Sequence, residues 1–576
     1  MTAAPPKTFD HIIIGAGSAG CTLANRLSAD PNVRVLVLEA GGWDRHPFVK
    51  LPLAWGRVLL DRIYDWGYDG EPQDTMAGRR IECARGKVIG GSSTINAMAY
   101  VRGNRGDYAR WASYGLPGWS YDDVLPYFRR QESWEGGATT YRGGDGPLQT
   151  RKSRYQDPLV DAYLEAAASA GHVLNDDYNG ETQDGFARMQ MTIRRGFRDS
   201  AATAYLHPVL SRANLTVKVH AHVTRVVLEG ARAVGVEYLQ DGRRVLAHAD
   251  GEVILSGGAI NSPQVLMLSG IGDPQALRAH GINIKVPLPG VGRNLQDHPA
   301  ALLIYARGDE SPLLRNMRVD RLGLGLLDAF AFGRGFVTDL PGGITGFVKT
   351  DPALPMPDIQ LLFIAGSLVA APYLSPFRKP FADSFACRIV LLRPESRGAI
   401  TLASSHPLAP PHISQGLLSA ADDWKALRRG IALFRDLAHR SELKPFVARE
   451  LGPGPDVKSD AKLEDYVRRT AVTAHHPSGT CKMGPDGDAM AVVDGELRVR
   501  GTEGLRVVDA SVFPDLVGGN INAPTIMIAE RAADFIHRGS TRWSINNTDI
   551  TQPTSHVRFE EEGGGYLAKL GLLPCS

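Results

Sequence analysis

Short unbroken apolar runs and amphipathic stretches alternate at the start of this chain. Ile12, Ile13 and Ile14 form a β-branched run, the pattern of a strand buried on both faces of a parallel sheet. Leu23, Ala24 and Leu27 recur on one face and predict a helix. The stretch "VRVLVLEA" predicts a second buried strand, ending in Glu39. Near the other end, "LRVVDAS" reads as a further buried strand ending in an acid, Asp509. The texture changes over residues 311–470. There "PDIQLLFIAGSLVAAPYL" is apolar, and "CRIVLLRPESRGAITLAS" reads as two strands around a turn that starts at Pro394.

Between the first strand and the first helix, Gly15, Gly17 and Gly20 stand in G-x-G-x-x-G spacing within "GAGSAG". Such spacing alone fits any glycine-rich turn. Here each glycine has a task. Gly15 permits the tight turn, Gly17 lets the backbone approach a pyrophosphate, and Gly20 lets helix and strand pack closely. The pyrophosphate then lies on the helix N-terminus, over the backbone of Ser18 and Ala19. Glu39 lies 19 residues past Gly20, at the tip of the second strand beside Ala40, where a carboxylate reaches ribose hydroxyls. That carboxylate argues against a 2′-phosphate ligand and favours NAD or FAD over NADP.

Composition narrows the class without naming a ligand. The 576 residues suffice for two or more domains, with 43% hydrophobic and 22% charged residues. A net charge of +2 and the lack of a Lys/Arg-rich run give no reason to expect nucleic acid. Cys21, Cys83, Cys387, Cys481 and Cys575 are scattered, with no C-x-x-C pair, so reduced thiols in a cytoplasm fit best. No apolar h-region precedes the first strand, and no apolar stretch approaches the ~20 residues of a membrane span. Peripheral membrane contact stays open.

Two later stretches separate NAD from FAD. "ARGKVIGGSSTINAMAYVRGNRGDY" (84–108) packs Gly86, Gly90 and Gly91 ahead of Ser92, Ser93, Thr94 and Asn96, a second glycine loop that can follow a long cofactor. "GGAINSPQVLMLSGIG" (257–272) punctuates a helix-like run with Gly258, Ser262 and Pro263. With "NLQDHP", "HPSGTCKMG" and "LRVVDASVFP" in the same order, these stretches carry a resemblance. Over roughly residues 8–538 the chain resembles the glucose-methanol-choline (GMC) family of FAD-dependent oxidoreductases, and within it bacterial choline-dehydrogenase-like and alcohol dehydrogenases.

The resemblance implies an α/β fold. A Rossmann-like FAD domain is discontinuous over 8–155, 200–310 and 471–538. A substrate domain, over 156–199 and 311–470, lays an antiparallel sheet over the flavin. It implies that "VKVHAHVTRVVLEGARAVGVEY" supplies a strand pair with Val223 near the adenine. It assigns Gly86, Val88, Gly91, Ser92, Asn96 and Ala97 to the cofactor, together with Asp509 and Ala510. Asp509 alone would also read as a helix cap. Some members attach FAD through a histidine before the asparagine of "GGSSTIN"; here Ile95 stands there, so FAD is expected to be non-covalent. Fatty-acid photodecarboxylases of this fold carry a cysteine where this chain has Leu392 and an asparagine where it has His475, which disfavours that chemistry. The tail, 541–576, lies outside the resemblance and reads as a flexible or interface segment.

The pair in "TAHHPSGTCKMG" raises the question of chemistry. If His475 and His476 are extended, their side chains point to opposite faces, and Pro477 disfavours helix for His476. They then do not converge on one metal, and no metal is expected. No G-x-S-x-G elbow is present for hydrolase chemistry. The family pattern places the catalytic histidine before "P-x-G-T", at His476, with Asn520 as its partner and cofactor neighbour; Asn522 is the rival. The implied reaction is oxidation of a primary or secondary alcohol, with a histidine base and hydride transfer to flavin N5. Reduced flavin then passes electrons to O2 or another acceptor. Redox-neutral hydroxynitrile cleavage on the same fold is the alternative. His475 and Phe363 are the expected substrate contacts, and His298 is read as a structural or cavity-wall residue.

Overall fold

A β-branched strand with no polar side satisfies both faces and both edges only at the middle of a covered sheet. The structure is a computed structural model and describes residues 8–539. Its first sheet has seven strands. Those labelled here are β1 (Thr8–Ile14), β2 (Val35–Leu38), β3 (Leu215–Lys218), β4 (His222–Glu229), β5 (Arg232–Gln240) and β6 (Arg243–Leu255). Their spatial order is β4-β5-β6-β1-β2-β3, with the short strand Leu505–Val507 beside β6. β1 runs parallel to both β2 and β6, bringing Ile14 level with Leu38 and Leu255. β4, β5 and β6 are antiparallel neighbours. Helix α1 (Ser18–Leu27) follows β1, and α2 (Gly258–Leu268) follows β6. A Cβ on Gly20 would lie 1.9 Å from the Gly15 carbonyl oxygen, so α1 can approach its strand this closely only with glycine there.

The second sheet is antiparallel and contains β7 (Pro299–Arg307), β8 (Ile344–Val348), β9 (Ile359–Ile364), β10 (Ser384–Leu391) and β11 (Val447–Gly452). Its order is β11-β7-β10-β9-β8, closed at the far edge by Gly185–Arg188. Val472–Thr473 pairs with β7. Between β7 and β8 in sequence lies α3 (Val319–Phe332); α4 (Ala421–Ala438) packs under the sheet with helix Pro158–Ser169. Alternate strand residues divide the faces. Ile359, Leu361, Phe363, Phe385, Cys387 and Ile389 enter this core beside Tyr163, Ile431 and Phe434. Each such burial contributes about 1.5–3 kcal/mol. The intervening positions, Gln360, Leu362 and Arg388 among them, are left for the opposite face.

β7, which ends before residue 310, hydrogen-bonds into the second sheet. Met1–Ala533 form one compact unit that holds both sheets. The second unit, Asp534–Ser576, is described through Gly539, where α5 (Asn522–Gly539) ends. The tail 541–576 lies outside the described residues. Among the described residues no helix is long and apolar enough to cross a membrane.

Candidate active site

One continuous cavity runs from the start of α1 to the two histidines. Gly15, Gly17, Ser18, Ala19, Glu39 and Ala40 line one part, and Gly86, Gly91, Ser92, Asn96 and Ala97 another. Val223, Asp509, Ala510, Asn520, His475 and His476 line it too. Gly20 and Val88 do not; Gly20 serves the helix packing already described, and Val88 is buried in a bridge to Gly42.

The residues present fit a long dinucleotide. Gly17 caps α1 with backbone only, so the first N–H groups of the helix receive no side-chain acceptor. A Cβ on Gly17 would have nothing nearer than the Ser256 carbonyl oxygen, 4.0 Å away, so that position opens onto the cavity. The second glycine loop is pressed on the first. The Gly90 N–H donates to the Ala16 carbonyl (2.7 Å), and a Cβ on Gly91 would come 2.7 Å from the Gly17 Cα. Glu39 accepts from the Ala16 and Gly41 N–H groups at 2.9 and 2.8 Å. Burial pushes this carboxyl up to about 7. Asp509 caps its own turn by accepting from the Ser511 N–H (2.8 Å), and it also accepts from the Gly258 N–H at the start of α2 (2.8 Å). Arg198 escaped the sequence reading. It is buried and donates to the Asn96, Ser93 and Val49 carbonyls, which fixes the shape of the second glycine loop.

At the other end, Asp297 ties two loops together: its Oδ1 accepts from the backbone N–H of both His298 and His476, each at 2.8 Å. His475 is not extended. Its φ of +61° lies in the left-handed region, a strained conformation for histidine. The two imidazoles consequently take different neighbours. His475 Nδ1 has no hydrogen-bond partner, and burial with the Arg85 and Arg388 guanidiniums holds the ring down at about 3.

His476 sits in a directed chain. His298 Nε2 lies 3.0 Å from the Leu392 carbonyl oxygen, which can only accept, so the proton is on Nε2. Burial holds His298 down at about 4, leaving it neutral near pH 7 with a lone pair on Nδ1. That lone pair faces His476 Nδ1 at 2.9 Å, which must therefore be the donor. His476 is then left with a lone pair on Nε2. Burial, and the repulsion of a proton by neighbouring His298, Arg85 and His475, hold it well below the ordinary histidine value. Asn520 Nδ2 stands 3.1 Å from that lone pair, and its Oδ1 accepts from Gln360 Nε2 at 3.3 Å. The rival, Asn522, instead opens α5 and accepts from Ser18 Oγ at 2.7 Å. Phe363, the expected substrate contact, turns its ring into the core. It stacks on Tyr163 with centroids 4.2 Å apart, although Phe363 lines the cavity together with its neighbours Leu362 and Ile364. Among the described residues no group of three or more His, Cys, Asp or Glu could hold a metal ion.

A nucleotide-binding parallel sheet, an antiparallel sheet over the same cavity and a neutral histidine facing it define a flavoprotein oxidoreductase. The sequence profile of GMC oxidoreductases matches residues 9–300 and again 394–529, well over half of the chain. The chain belongs to the GMC oxidoreductase family. It is similar to mitochondrial choline dehydrogenase of Mus musculus, 44% identical over 95% of this chain and 92% of the relative. It is 43% identical to oxygen-dependent choline dehydrogenase of Rhizobium rhizogenes, over 96% of this chain and 99% of the other. Among solved structures it resembles pyridoxine 4-oxidase from Mesorbium loti (TM-score 0.82, 33% identity, 92% of this chain and 100% of that one). It also resembles formate oxidase of Aspergillus oryzae RIB40 (TM-score 0.85, 27% identity, 94% and 100%). The protein is an FAD-dependent oxidoreductase of alcohols.

Proposed function

We propose that the substrate is a small primary alcohol and that His476 Nε2 takes its hydroxyl proton. The observation that carries this reading is the Leu392–His298–His476 chain, which leaves a lone pair on Nε2 of a cavity-lining histidine, where it accepts from Asn520 Nδ2. A neutral imidazole there accepts a proton near neutral pH. Asn520 Nδ2 hydrogen-bonds that lone pair at 3.1 Å, so an entering hydroxyl takes the place of this bond, giving its proton to Nε2 while the Asn520 N–H turns to the oxygen and its developing charge. Bound FAD supplies the two-electron acceptor for the carbinol hydrogen and its electron pair. Loss of that hydride and of the hydroxyl proton leaves an aldehyde. The two choline dehydrogenases act, by their names, on a primary alcohol, and the relatives named above are dehydrogenases and oxidases, which favours oxidation over redox-neutral cleavage.

FAD is held without a covalent bond on this reading, since the Ile95 side chain bordering the cavity is a hydrocarbon. Acid precipitation is expected to release all yellow colour into the supernatant; a yellow washed pellet contradicts this. The chain is read as cytoplasmic, with peripheral contact to an anionic lipid surface through α3. Support for that contact is the exposure of Leu324, Leu327, Phe330 and Phe332 on α3, with Arg315 and Arg321 exposed on the same stretch of chain.

The test of the reaction is an anaerobic screen of aliphatic, aromatic, amino and sugar alcohols against the holoenzyme. A primary alcohol is expected to bleach the flavin band and yield one aldehyde per flavin reduced. Absence of bleaching across the screen contradicts the reading.

A further inference from the structure

Alternation along β9 and β10 brings one unused charge to the cavity. Arg388 pairs across the sheet with Leu362 of β9, whose side chain borders the cavity, and with Leu302 of β7. Arg388 lines the same cavity. Among the described residues no hydrogen bond or ion pair engages its guanidinium, and its Nε is buried without a partner. Glu82 is the one acid whose charge reaches it, but Glu82 pairs with Arg62 (3.6 Å) and does not line the cavity. A buried guanidinium left without a counter-charge is costly, and natural sites keep such groups where a ligand supplies the charge.

The charges around it have the same sign. Of the acids lining the cavity, Glu39 is occupied by Ala16 and Gly41, and Asp509 by Gly258, Ser262 and Ser511. The remaining cation is Arg85, whose guanidinium donates to the His475 and Ala84 carbonyls. Arg85 and Arg388 both act on His475, the neighbour of His476. Of the aromatics lining the cavity, Trp66 and Phe363 stack on Tyr68 and Tyr163, leaving Trp55, which packs against Met98, Met189, Leu340 and Leu362. A single ring does not make an aromatic cage, and a quaternary ammonium placed there would meet two guanidiniums and no free carboxylate.

We infer that Arg388 binds a carboxylate on the substrate, so that the alcohol this enzyme takes best is the anion of a hydroxy acid. The inference rests on the reading of this cavity as the alcohol site beside His476, and it sets this chain apart from relatives named for choline, a cation. The planar fork of arginine matches a carboxylate in two parallel hydrogen bonds, which fixes the far end of the substrate and aims the carbinol.

Two measurements test it on the holoenzyme. In the first, butanoate is titrated against the flavin spectrum, a readout that needs no turnover. Wild type is expected to bind butanoate about tenfold or more tightly than Arg388→Met does, with Arg388→Lys between them. In the second, anaerobic flavin reduction is compared for ω-hydroxy acids of three to six carbons, 1-butanol and choline. The best hydroxy acid is expected to exceed 1-butanol by roughly tenfold or more in kred/Kd, with choline the poorest. Arg388→Met should remove that preference, lowering kred/Kd for the best hydroxy acid about tenfold or more. Preference for choline, or a butanoate affinity unchanged in Arg388→Met, overturns the inference. If no alcohol bleaches the flavin but Arg388→Met still loses butanoate, the anion site stands and the alcohol reading falls.

Discussion

A single carbonyl sets the protonation pattern of the histidine pair. Leu392 accepts from His298 Nε2, and the tautomers of His298 and His476 follow in turn. This makes His298 a positioning residue for His476, and its neutrality has a thermodynamic signature. In the folded chain His298 titrates at about 4, against about 6.5 unfolded. Its contribution is complete above pH 6.5 and is lost as pH falls, because the unfolded chain takes up a proton that the folded chain refuses. Integrated from pH 6.5 to 4, the loss is about 3 kcal/mol. His298→Gln removes this titration, so its stability deficit against wild type should shrink by about 2 kcal/mol between pH 7 and 4.5 in urea unfolding of the cofactor-free proteins. Glu39 and Asp297, which burial pushes the opposite way, are common to both proteins. A deficit that does not change with pH would mean that His298 is not held neutral.

At the level of elements, the cofactor cradle is made by two glycine loops in contact. Gly91 has φ +53°, and a Cβ there would press on the Gly17 backbone. Gly91→Ala therefore costs about 1–3 kcal/mol in backbone strain and pushes apart the loops that hold the dinucleotide. Gly91→Ala should purify with under about half the flavin per protein of wild type, read as absorbance at 450 against 280 nm. Gly78→Ala, also at positive φ (+72°) but with nothing within 4 Å of its Cβ, should keep its flavin. Equal flavin in both variants would deny that loop contact matters. This part of the site was legible in the sequence, because strand, glycine turn, helix and acid are consecutive and local. Phe363 lines the cavity but turns its ring into the core, and this phase has no sequence signal: in a strand, a shift of one residue exchanges faces, and an apolar run does not say which face is the cavity.

Across the whole molecule, the second sheet and the residues it delivers were the least legible. Gln360, Arg388 and the Leu392 carbonyl come from β9, β10 and the turn after β10; Gln360 and Leu392 reach His476 through Asn520 and His298, and Arg388 acts on His475. His298 and His476 are 178 residues apart and meet because Asp297 binds both backbones. His475 was expected to be extended, yet its left-handed backbone comes from these loop contacts and not from any local signal. On the outside, α3 carries four large apolar side chains at 61–69% exposure. Flotation with vesicles containing an anionic phospholipid is expected to carry wild type along at low salt. Leu324→Asp/Leu327→Asp should stay behind, while both proteins ignore neutral vesicles. Wild type remaining in solution in every case would deny a lipid contact for this face.

On the proposed reading His476, and not its neighbour, removes the alcohol proton. Stopped-flow anaerobic flavin reduction by the best primary alcohol tests it directly, in wild type, His476→Ala and His475→Ala. A loss of about 10²–10⁴-fold in His476→Ala, with a far smaller loss in His475→Ala and intact flavin content in all three, is the predicted result. Equal losses in the two variants, or near-normal reduction in His476→Ala, would contradict it.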